Sequence, residues 1–421
     1  MVQQRRWNVK LDREQLEKRA IVFFIIVGCC LRLLWASDME WKSEEQWMFE
    51  QAQKIASGSA PLPIVGMQSG VRVPNPGMTV WWFAFIAHFA HDPIAMVRWV
   101  QVLNILAIWL FCGFVMWQII PSQRKPWLWG LAIASVNPLA VVFSRKIWIP
   151  DLLSPFCFLV FLGHWFRQKL WGGFLWGIAG VFIGQVHMGG FFFAFGLWLW
   201  TVWHDYQQKT LKNLAWGGWI FGTALGSIPL VPWALAVIPH MGGYTRSIVS
   251  LLVPKFYVQW VTTAVGVNLS NPLWKVFWRD FLREPIIFHI PTYLMIPAHL
   301  FLLGIGIYPI YRFLTHRNRH PIDKTNPLNF YLQALAFGVG GVFTLSGVNV
   351  QPYYILVVFP FMYIWLALVY QHQFKLLVTI ALIQLLITIT FLVFIHRTGG
   401  IPGRGYGITY RVQMEQQQNS H

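Results

Sequence analysis

The chain has 421 residues, of which 56% are hydrophobic and only 11% are charged. This excludes a soluble globular domain, whose surface needs far more charge. The formal net charge of +17 does not indicate a nucleic-acid partner, because an excess of lysine and arginine on the cytoplasmic side of a membrane explains it better. The four cysteines lie in apolar runs and predict neither a disulfide framework nor a zinc site.

Apolar runs recur along the chain after a charged N-terminal segment, residues 1–19. The first run is too long for the apolar core of a signal peptide, and each run approaches the ~20 residues that cross a hydrocarbon core. These runs predict an all-α polytopic membrane protein with about eleven transmembrane helices. The runs are 20–36, 97–119, 127–144, 152–166, 171–185, 189–203, 214–238, 292–313, 328–346, 353–370 and 374–395.

A shorter apolar stretch, residues 78–90, is predicted to be an interfacial helix. Counting it as a span would place Arg124 and Lys125 outside, against the positive-inside rule. Without it, every short basic loop lies on the side of the N-terminus. This predicts a cytoplasmic N-terminus and a short non-cytoplasmic tail, residues 396–421. The basic residues of those loops are Arg124, Lys125, Arg167, Lys169, Lys209, Lys212, Arg312, Arg317, Arg319, Lys324 and Lys375.

The spans are expected to form one domain, residues 20–395, with two long loops on its outer side. Residues 37–96 hold most of the acidic residues that lie outside the N-terminal segment. Residues 239–291 hold many aromatic residues and four basic ones, Lys255, Lys275, Arg279 and Arg283. Long loops that contain chemically active side chains are functional more often than short connectors are.

An acidic cluster follows the first run, which ends near Arg32. Its members are Asp38, Glu40, Glu44 and Glu45. A carboxylate near a low-dielectric boundary tends to have a raised pKa, which suits a general base working near neutral pH. The alternative is an amphipathic surface helix with ordinary charges, and three further features weigh against that alternative.

The first feature is the turn Pro74–Gly77, which leads into the interfacial stretch and could otherwise be a simple helix start. The second is the pair Arg145 and Lys146, which lies on the outer side against the charge rule. Such a pair could hold a lipid phosphate. The alternative is snorkelling of these side chains, with Asp151 as the N-cap of the fourth span.

The third feature is the pair Gln185 and His187, again at the outer membrane boundary. Polar residues between two spans at such a boundary often mark a functional site, although a hydrated loop is an equally good interpretation for the histidine alone. All three features return to the face that carries the acidic cluster. This convergence indicates one polar site beside the lipid.

Taken together, these residues resemble the GT-C superfamily of glycosyltransferases, in particular the branch with protein O-mannosyltransferases and the lipid A aminoarabinose transferase. The family's first-loop acidic element is similar to Glu44–Trp47, with Glu in place of Asp and Trp in place of Tyr, and Asp38 is the alternative match. The other similar segments are the turn Pro74–Gly77, the Ser-Arg-x-x-x-Pro-Asp element Ser144–Asp151, the Gln-x-His element Gln185–His187 and the Tyr-Tyr element Pro352–Pro360.

The resemblance implies transfer of a sugar from a polyprenyl-phosphate donor to an acceptor hydroxyl on the non-cytoplasmic face, with inversion at the anomeric carbon. Glu44 is the first candidate for the general base and Asp38 the second, and Asp151 is a third catalytic candidate. Arg145 and Lys146 would supply positive charge to the leaving phosphate. The other residues expected to bind substrate are Glu45, Gln185, His187, Tyr353 and Tyr354.

No cofactor is assigned, and a divalent cation is only an open alternative. Asp38 and Glu44 could hold a hard cation, as could His88, His91 and Asp92, but these last three are better interpreted as the polar end of the interfacial helix. No metal ligand is therefore predicted.

The alternative function is a transporter or flippase of a lipid-linked substrate, which usually carries ionisable residues and broken helices near mid-membrane. Here the spans are nearly free of charge at mid-depth, and the polar residues gather at one face. A non-catalytic scaffold would show no such convergence. The sequence does not specify the sugar, nor whether the acceptor is a protein, a lipid or a polysaccharide.

Overall fold

The structure is a computed structural model that describes residues 2–69, 73–240, 254–315, 326–403 and 405–419. Part of the second outer loop, 241–253, therefore lies outside the described residues, as do three of the predicted basic loop residues, Arg317, Arg319 and Lys324.

Helices make up most of the described chain, in agreement with the predicted all-α class. The α-helices are α1 (Val2–Leu33), α2 (Ser43–Ala56), α3 (Met78–Ala87), α4 (Pro93–Gln118), α5 (Arg124–Val136), α6 (Pro138–Val142), α7 (Leu153–Trp165), α8 (Leu170–Val186), α9 (Gly189–Gln207), α10 (Trp216–Ser227), α11 (Leu230–Val237), α12 (Lys255–Val265), α13 (Ser270–Leu282), α14 (Met295–Thr315), α15 (Pro327–Gln333), α16 (Gly340–Ser346), α17 (Phe361–Val369), α18 (Phe374–Thr398) and α19 (Tyr410–Gln418).

Shorter elements connect these helices. The strands pair as three antiparallel ribbons, β1 (Val65–Gln68) with β2 (Pro74–Pro76), β3 (Ile286–Ile287) with β4 (Ile290–Pro291), and β5 (Gly400–Ile401) with β6 (Gly407–Ile408). A π-helical turn, Ala334–Val339, joins α15 to α16. The 3₁₀ turns are Ala36–Asp38, Pro121–Gln123, Ile149–Leu152, Leu211–Asn213, Ile238–His240 and Pro352–Val358.

Among the described residues, three helical segments are long and apolar enough to cross a membrane. They are Pro93–Gln118, Pro327–Ser346 and Phe374–Thr398. Two bent pairs, α10 with α11 and Pro352–Val358 with α17, raise the number to five if each pair is one span. By length and composition the structure thus supports three to five spans, fewer than the eleven predicted, because proline and asparagine break several of the apolar runs into shorter helices.

The break between α5 and α6 illustrates how the sequence divides a run. Pro138 has no N–H to continue the helix, and the Asn137 side chain accepts a hydrogen bond from the Ala140 N–H at 3.2 Å, capping α6. The Asn137 amide also donates to the Gln384 side chain and to the Thr263 carbonyl, each at 2.9 Å. A polar side chain inside an apolar bundle is thus satisfied by three other helices.

Contacts group the charged loops at two ends of the bundle. At one end, Glu17 of α1 accepts hydrogen bonds from Lys125 at 3.0 Å and from the Trp129 indole at 2.7 Å. Arg167 lies 3.5 Å from Asp205 near the same end. The opposite end contains the segments after α1, before α7, between α8 and α9, and after α18.

Candidate active site

A cavity of about 230 Å³ opens at the end of the bundle where these segments meet. Four predicted site residues, Glu44, His187, Tyr353 and Tyr354, lie in its wall. The rest of the lining comes from the β1–β2 ribbon, the segment before α7, the start of α9 and the chain before Pro352: Met67, Gln68, Ser69, Asn75, Trp148, Ile149, Pro150, Met188, Gly189, Phe192 and Val348. Sequence-distant elements therefore build one concave surface.

The first turn of α2 carries the acid of this cavity. Glu45, the third residue of the helix, accepts a hydrogen bond from the Lys42 N–H at 3.1 Å and so caps the helix start. This capping turns Glu45 into the protein and leaves Glu44 exposed at the cavity. Neighbouring acids in the sequence thus have opposite environments.

An aromatic wall faces Glu44 across the shared cavity. The Tyr353 ring packs edge-on to Trp148 at 4.8 Å and to Tyr354 at 4.9 Å between centroids, and Tyr354 packs against the His187 ring at 5.1 Å. Edge-to-face packing of this kind fixes ring orientation. The wall therefore presents rigid rings with polar edges.

His187 lies in the turn between α8 and α9, outside the helices. Burial lowers the pKa of its imidazole to about 4, so the ring is neutral at pH 7. The Gly189 N–H donates to Nδ1 at 3.1 Å, which assigns the ring proton to Nε2. His187 can therefore act as a neutral hydrogen-bond donor at the cavity.

A buried ionic cluster lies directly behind the Trp148 wall. The Lys146 ammonium is 2.6 Å from Glu40 and 4.0 Å from Glu45, and it sits 4.2 Å from the centroid of the Trp148 ring. Burial acts to lower the pKa of Lys146, but Glu40, Glu45 and Asp151 together raise it above its ordinary value. Lys146 therefore stays charged beneath the cavity.

Glu45 is almost fully enclosed in the same ionic cluster. Burial, with the charge of Glu40 beside it, raises the pKa of Glu45 to about 8. Lys42 supplies a second ammonium to Glu40 by an ion pair. The cluster thus balances its acids partly by cations and partly by retaining a proton.

Asp151 holds the loop before α7 rather than the start of the helix. Its Oδ2 accepts a hydrogen bond from the Lys146 N–H at 3.1 Å, and the Asn104 amide donates to its backbone carbonyl at 2.7 Å. The predicted N-cap role is wrong, because α7 begins at Leu153 without a side-chain cap. Asp151 is fully buried and is not part of the cavity lining.

Arg145 is likewise buried, and its guanidinium donates hydrogen bonds to carbonyls at the end of α1. It donates to the Leu31 carbonyl at 2.9 Å, to the Trp35 carbonyl at 3.0 Å, and to the Leu34 carbonyl. The Leu31 carbonyl is one of those that the last turn of α1 leaves unpaired, and Leu34 and Trp35 follow the end of the helix. Arg145 therefore fastens the loop before α7 to α1 and does not line the cavity.

Two further predicted residues point to contacts away from the cavity. Asp38 lies 2.9 Å from Nε of Arg411 and 2.5 Å from Nδ1 of His396, so the C-terminal segment engages both of its oxygens. The Gln185 amide donates to the Gly226 carbonyl at 2.8 Å, which joins α8 to α10. Neither residue belongs to the cavity lining.

Some lining residues were missing from the sequence-based candidates. Trp148 lies inside the segment Ser144–Asp151 and Asn75 inside the turn Pro74–Gly77, so both could have been selected with those motifs. Gln68 and Ser69 carry no such signal, because a Gln-Ser pair before a turn is common in loops.

Among the described residues, no group of three or more His, Cys, Asp or Glu side chains is arranged to hold a metal ion. The Asp92 carboxylate accepts from the Ala95 N–H at 2.9 Å and caps α4, so it has a structural partner.

Comparison of the chain with protein-family models, curated proteins and solved structures finds no match. The chemistry of the cavity therefore has to be derived from its own residues.

Proposed function

We propose that the protein is a membrane glycosyltransferase that moves a sugar from a polyprenyl-phosphate donor to an acceptor hydroxyl on the non-cytoplasmic face. The observation that carries the proposal is the cavity, which combines the exposed Glu44 carboxylate with the neutral His187 and the Tyr353–Tyr354 wall. A sugar ring presents hydroxyls to polar edges and C–H faces to aromatic rings, and the cavity offers both.

The contact between the first loop and the C-terminal segment supports the proposed topology. Because Asp38 and Arg411 touch, an even number of membrane crossings separates them. The apolar runs from 97–119 to 374–395 are ten by our sequence assignment, which is even, and including 78–90 would make the number odd. The contact therefore agrees with an even number of crossings between the first loop and the C-terminal segment, and it disfavours counting 78–90 as a span.

Glu44 is the proposed general base. Asp38 has Arg411 and His396 on its two oxygens, whereas Glu44 is exposed at the cavity. In the proposed step the acceptor oxygen attacks the anomeric carbon while Glu44 takes its proton. The bond from that carbon to the phosphate oxygen breaks, and its electron pair leaves with the polyprenyl phosphate.

The leaving phosphate needs positive charge more than it needs a proton donor, because phosphate is a weak base. Lys146 is the proposed source of this charge: it does not line the cavity, but its ammonium lies 4.2 Å from the centre of the Trp148 ring, which does. His187 adds a neutral donor. Arg145, which was expected to share this role, is proposed instead to hold the loop in place.

The test measures free polyprenyl phosphate, the product that is released whichever acceptor receives the sugar. The purified protein in nanodiscs is supplied with a panel of polyprenyl-phosphate hexoses and pentoses, together with a detergent extract of membrane lipids and proteins as acceptor source. Release of free polyprenyl phosphate is then followed by mass spectrometry. We expect release with at least one donor, and a loss of about 10²–10⁴-fold on Glu44→Gln.

Glu50→Gln is the matched control, because Glu50 is an exposed acid on the same helix and does not line the cavity. It should leave release unchanged. Absence of release with every donor would contradict the proposal, and movement of intact donor across the bilayer without release would favour a flippase.

A further inference from the structure

The C-terminal segment (residues 405–419) folds back over the start of the first loop. The backbone of Thr409 pairs with Glu40 as an antiparallel bridge, and the Tyr410 N–H donates to the Met39 carbonyl at 3.1 Å. The Tyr410 ring packs edge-on against Trp41 at 5.1 Å. The chain segment that leads into α2 is therefore covered by residues from the other end of the sequence.

Asp38 anchors this contact. It is 3% exposed, and its carboxylate receives Arg411 and His396. The Tyr406 hydroxyl donates to its backbone carbonyl at 2.9 Å. Arg411 also donates to the His396 carbonyl at 2.8 Å, which links α19 to the end of α18. Asp38 thus joins the end of α1 to three parts of the C-terminal region.

The C-terminal segment also holds both sides of Glu44. Lys42 lies two residues before Glu44, and its ammonium donates to the Gly405 carbonyl at 2.9 Å. Two residues after it, the Gln46 amide lies 3.2 Å from the Gln413 side-chain oxygen, and Gln413 in turn donates to the Trp41 carbonyl. None of these C-terminal residues lines the cavity.

We infer that the C-terminal segment is a positioning element that sets the place of Glu44 in the cavity, and that Asp38 is its anchor rather than a second base. The catalytic consequence rests on the function proposed above, whereas the docking itself does not. A general base that is displaced by about 1 Å stabilises the transition state less, while substrate binding changes little.

The experiment combines a docking readout with kinetics. Hydrogen exchange of peptides covering residues 39–56 is compared for the full-length wild type, Arg411→Gln, Asp38→Asn and the double variant. We expect each variant to increase exchange in these peptides, and the double variant to match the single ones, because the two residues act as one unit. Peptides from α4, which the C-terminal segment does not hold, should be unchanged.

The kinetic arm follows release of polyprenyl phosphate. We expect Arg411→Gln and Asp38→Asn to lower kcat by about 10-fold or more with the donor KM nearly constant, and Arg411→Lys to recover part of kcat. Glu415→Gln is the control, because it removes only the exposed partner of Arg411.

The outcomes are separable. Unchanged exchange in residues 39–56 would overturn the inference. If Asp38→Asn abolished turnover while Arg411→Gln left kcat unchanged, Asp38 would itself be catalytic and the positioning role would be wrong. Increased exchange in an enzyme with no measurable sugar transfer would leave the docking intact and contradict only the proposed function.

Discussion

Carboxylates from one short stretch of sequence differ in their exposure to solvent. Glu44 is exposed in a cavity with His187 and aromatic rings, whereas Glu40 and Glu45 are buried against Lys146. Reaction with a substrate needs access, and a buried charge needs a partner. The comparison teaches that one stretch of acids can supply both a candidate base and the charged support behind it.

Removal of the Lys146 ammonium, which pairs with the buried carboxylates, should lower stability more than any other change considered. We expect Lys146→Met to lower the free energy of unfolding by about 1–3 kcal/mol, because it removes the buried partner of Glu40 Oε2 while Lys42 remains on Oε1. Thermal unfolding in detergent measures this effect. Lys54→Met, at an exposed lysine of α2, is the control. An equal and small effect of both changes would contradict a structural role for the ionic cluster.

Changes to residues that line the cavity should lower turnover rather than stability. We expect His187→Asn to reduce release of polyprenyl phosphate by about 10²-fold, because the variant removes one hydrogen-bond donor that stabilises the transition state. Asparagine keeps an acceptor near the Gly189 N–H but has no counterpart of Nε2. His88→Asn, at an exposed histidine, should leave turnover unchanged. A normal rate for His187→Asn would remove His187 from the site.

The pH dependence of stability sharpens the comparison. The pKa of Glu45 is raised from 4.5 to about 8 in the folded protein, so its contribution is fully present below pH 4.5 and is lost as the pH rises towards 8. In Glu45→Gln, the decrease in the free energy of unfolding between pH 4.5 and 8 should be smaller than in the wild type by at least about 1.4 kcal/mol, the equivalent of one pKa unit.

His187 contributes in the opposite direction. Its pKa is lowered from 6.5 to about 4, so its contribution is present above pH 6.5 and is lost as the pH falls towards 4. Melting curves of the wild type, Glu45→Gln, His187→Asn and the control Glu50→Gln between pH 4 and 9 separate the two residues. If the profile of Glu45→Gln runs parallel to those of the wild type and Glu50→Gln, Glu45 does not carry the raised pKa.

Asp151 should give the smallest effect. Asparagine retains an oxygen that can accept from the Lys146 N–H, so we expect Asp151→Asn to change stability by no more than about 1.5 kcal/mol and turnover only a few-fold. Turnover is measured by polyprenyl phosphate release. A loss as large as that of Glu44→Gln would return Asp151 to the catalytic candidates.

Much of the site could be predicted from the order of motifs along the chain. His187 is a candidate because polar residues between two spans at a membrane boundary often mark a functional site, Glu44 because it belongs to the first-loop acidic cluster, and Tyr353 and Tyr354 because of the family resemblance. The structure brings all four to one cavity. Arg145 is a candidate because the basic pair lies against the charge rule and could hold a lipid phosphate, but no pattern in the sequence indicates that its guanidinium binds the carbonyls at the end of α1.

The sequence by itself determined the helical class and predicted a membrane protein, since long apolar runs with few charges satisfy their backbone groups in lipid as helices. It also predicted that the acids, the basic pair and the histidine lie at one membrane face. Only the tertiary structure decided which acid is exposed. The capping by Glu45, the burial of Glu40 against Lys146 and the capture of Asp38 by Arg411 depend on residues far apart in the chain. Contacts between distant residues leave no local pattern that a single sequence could reveal.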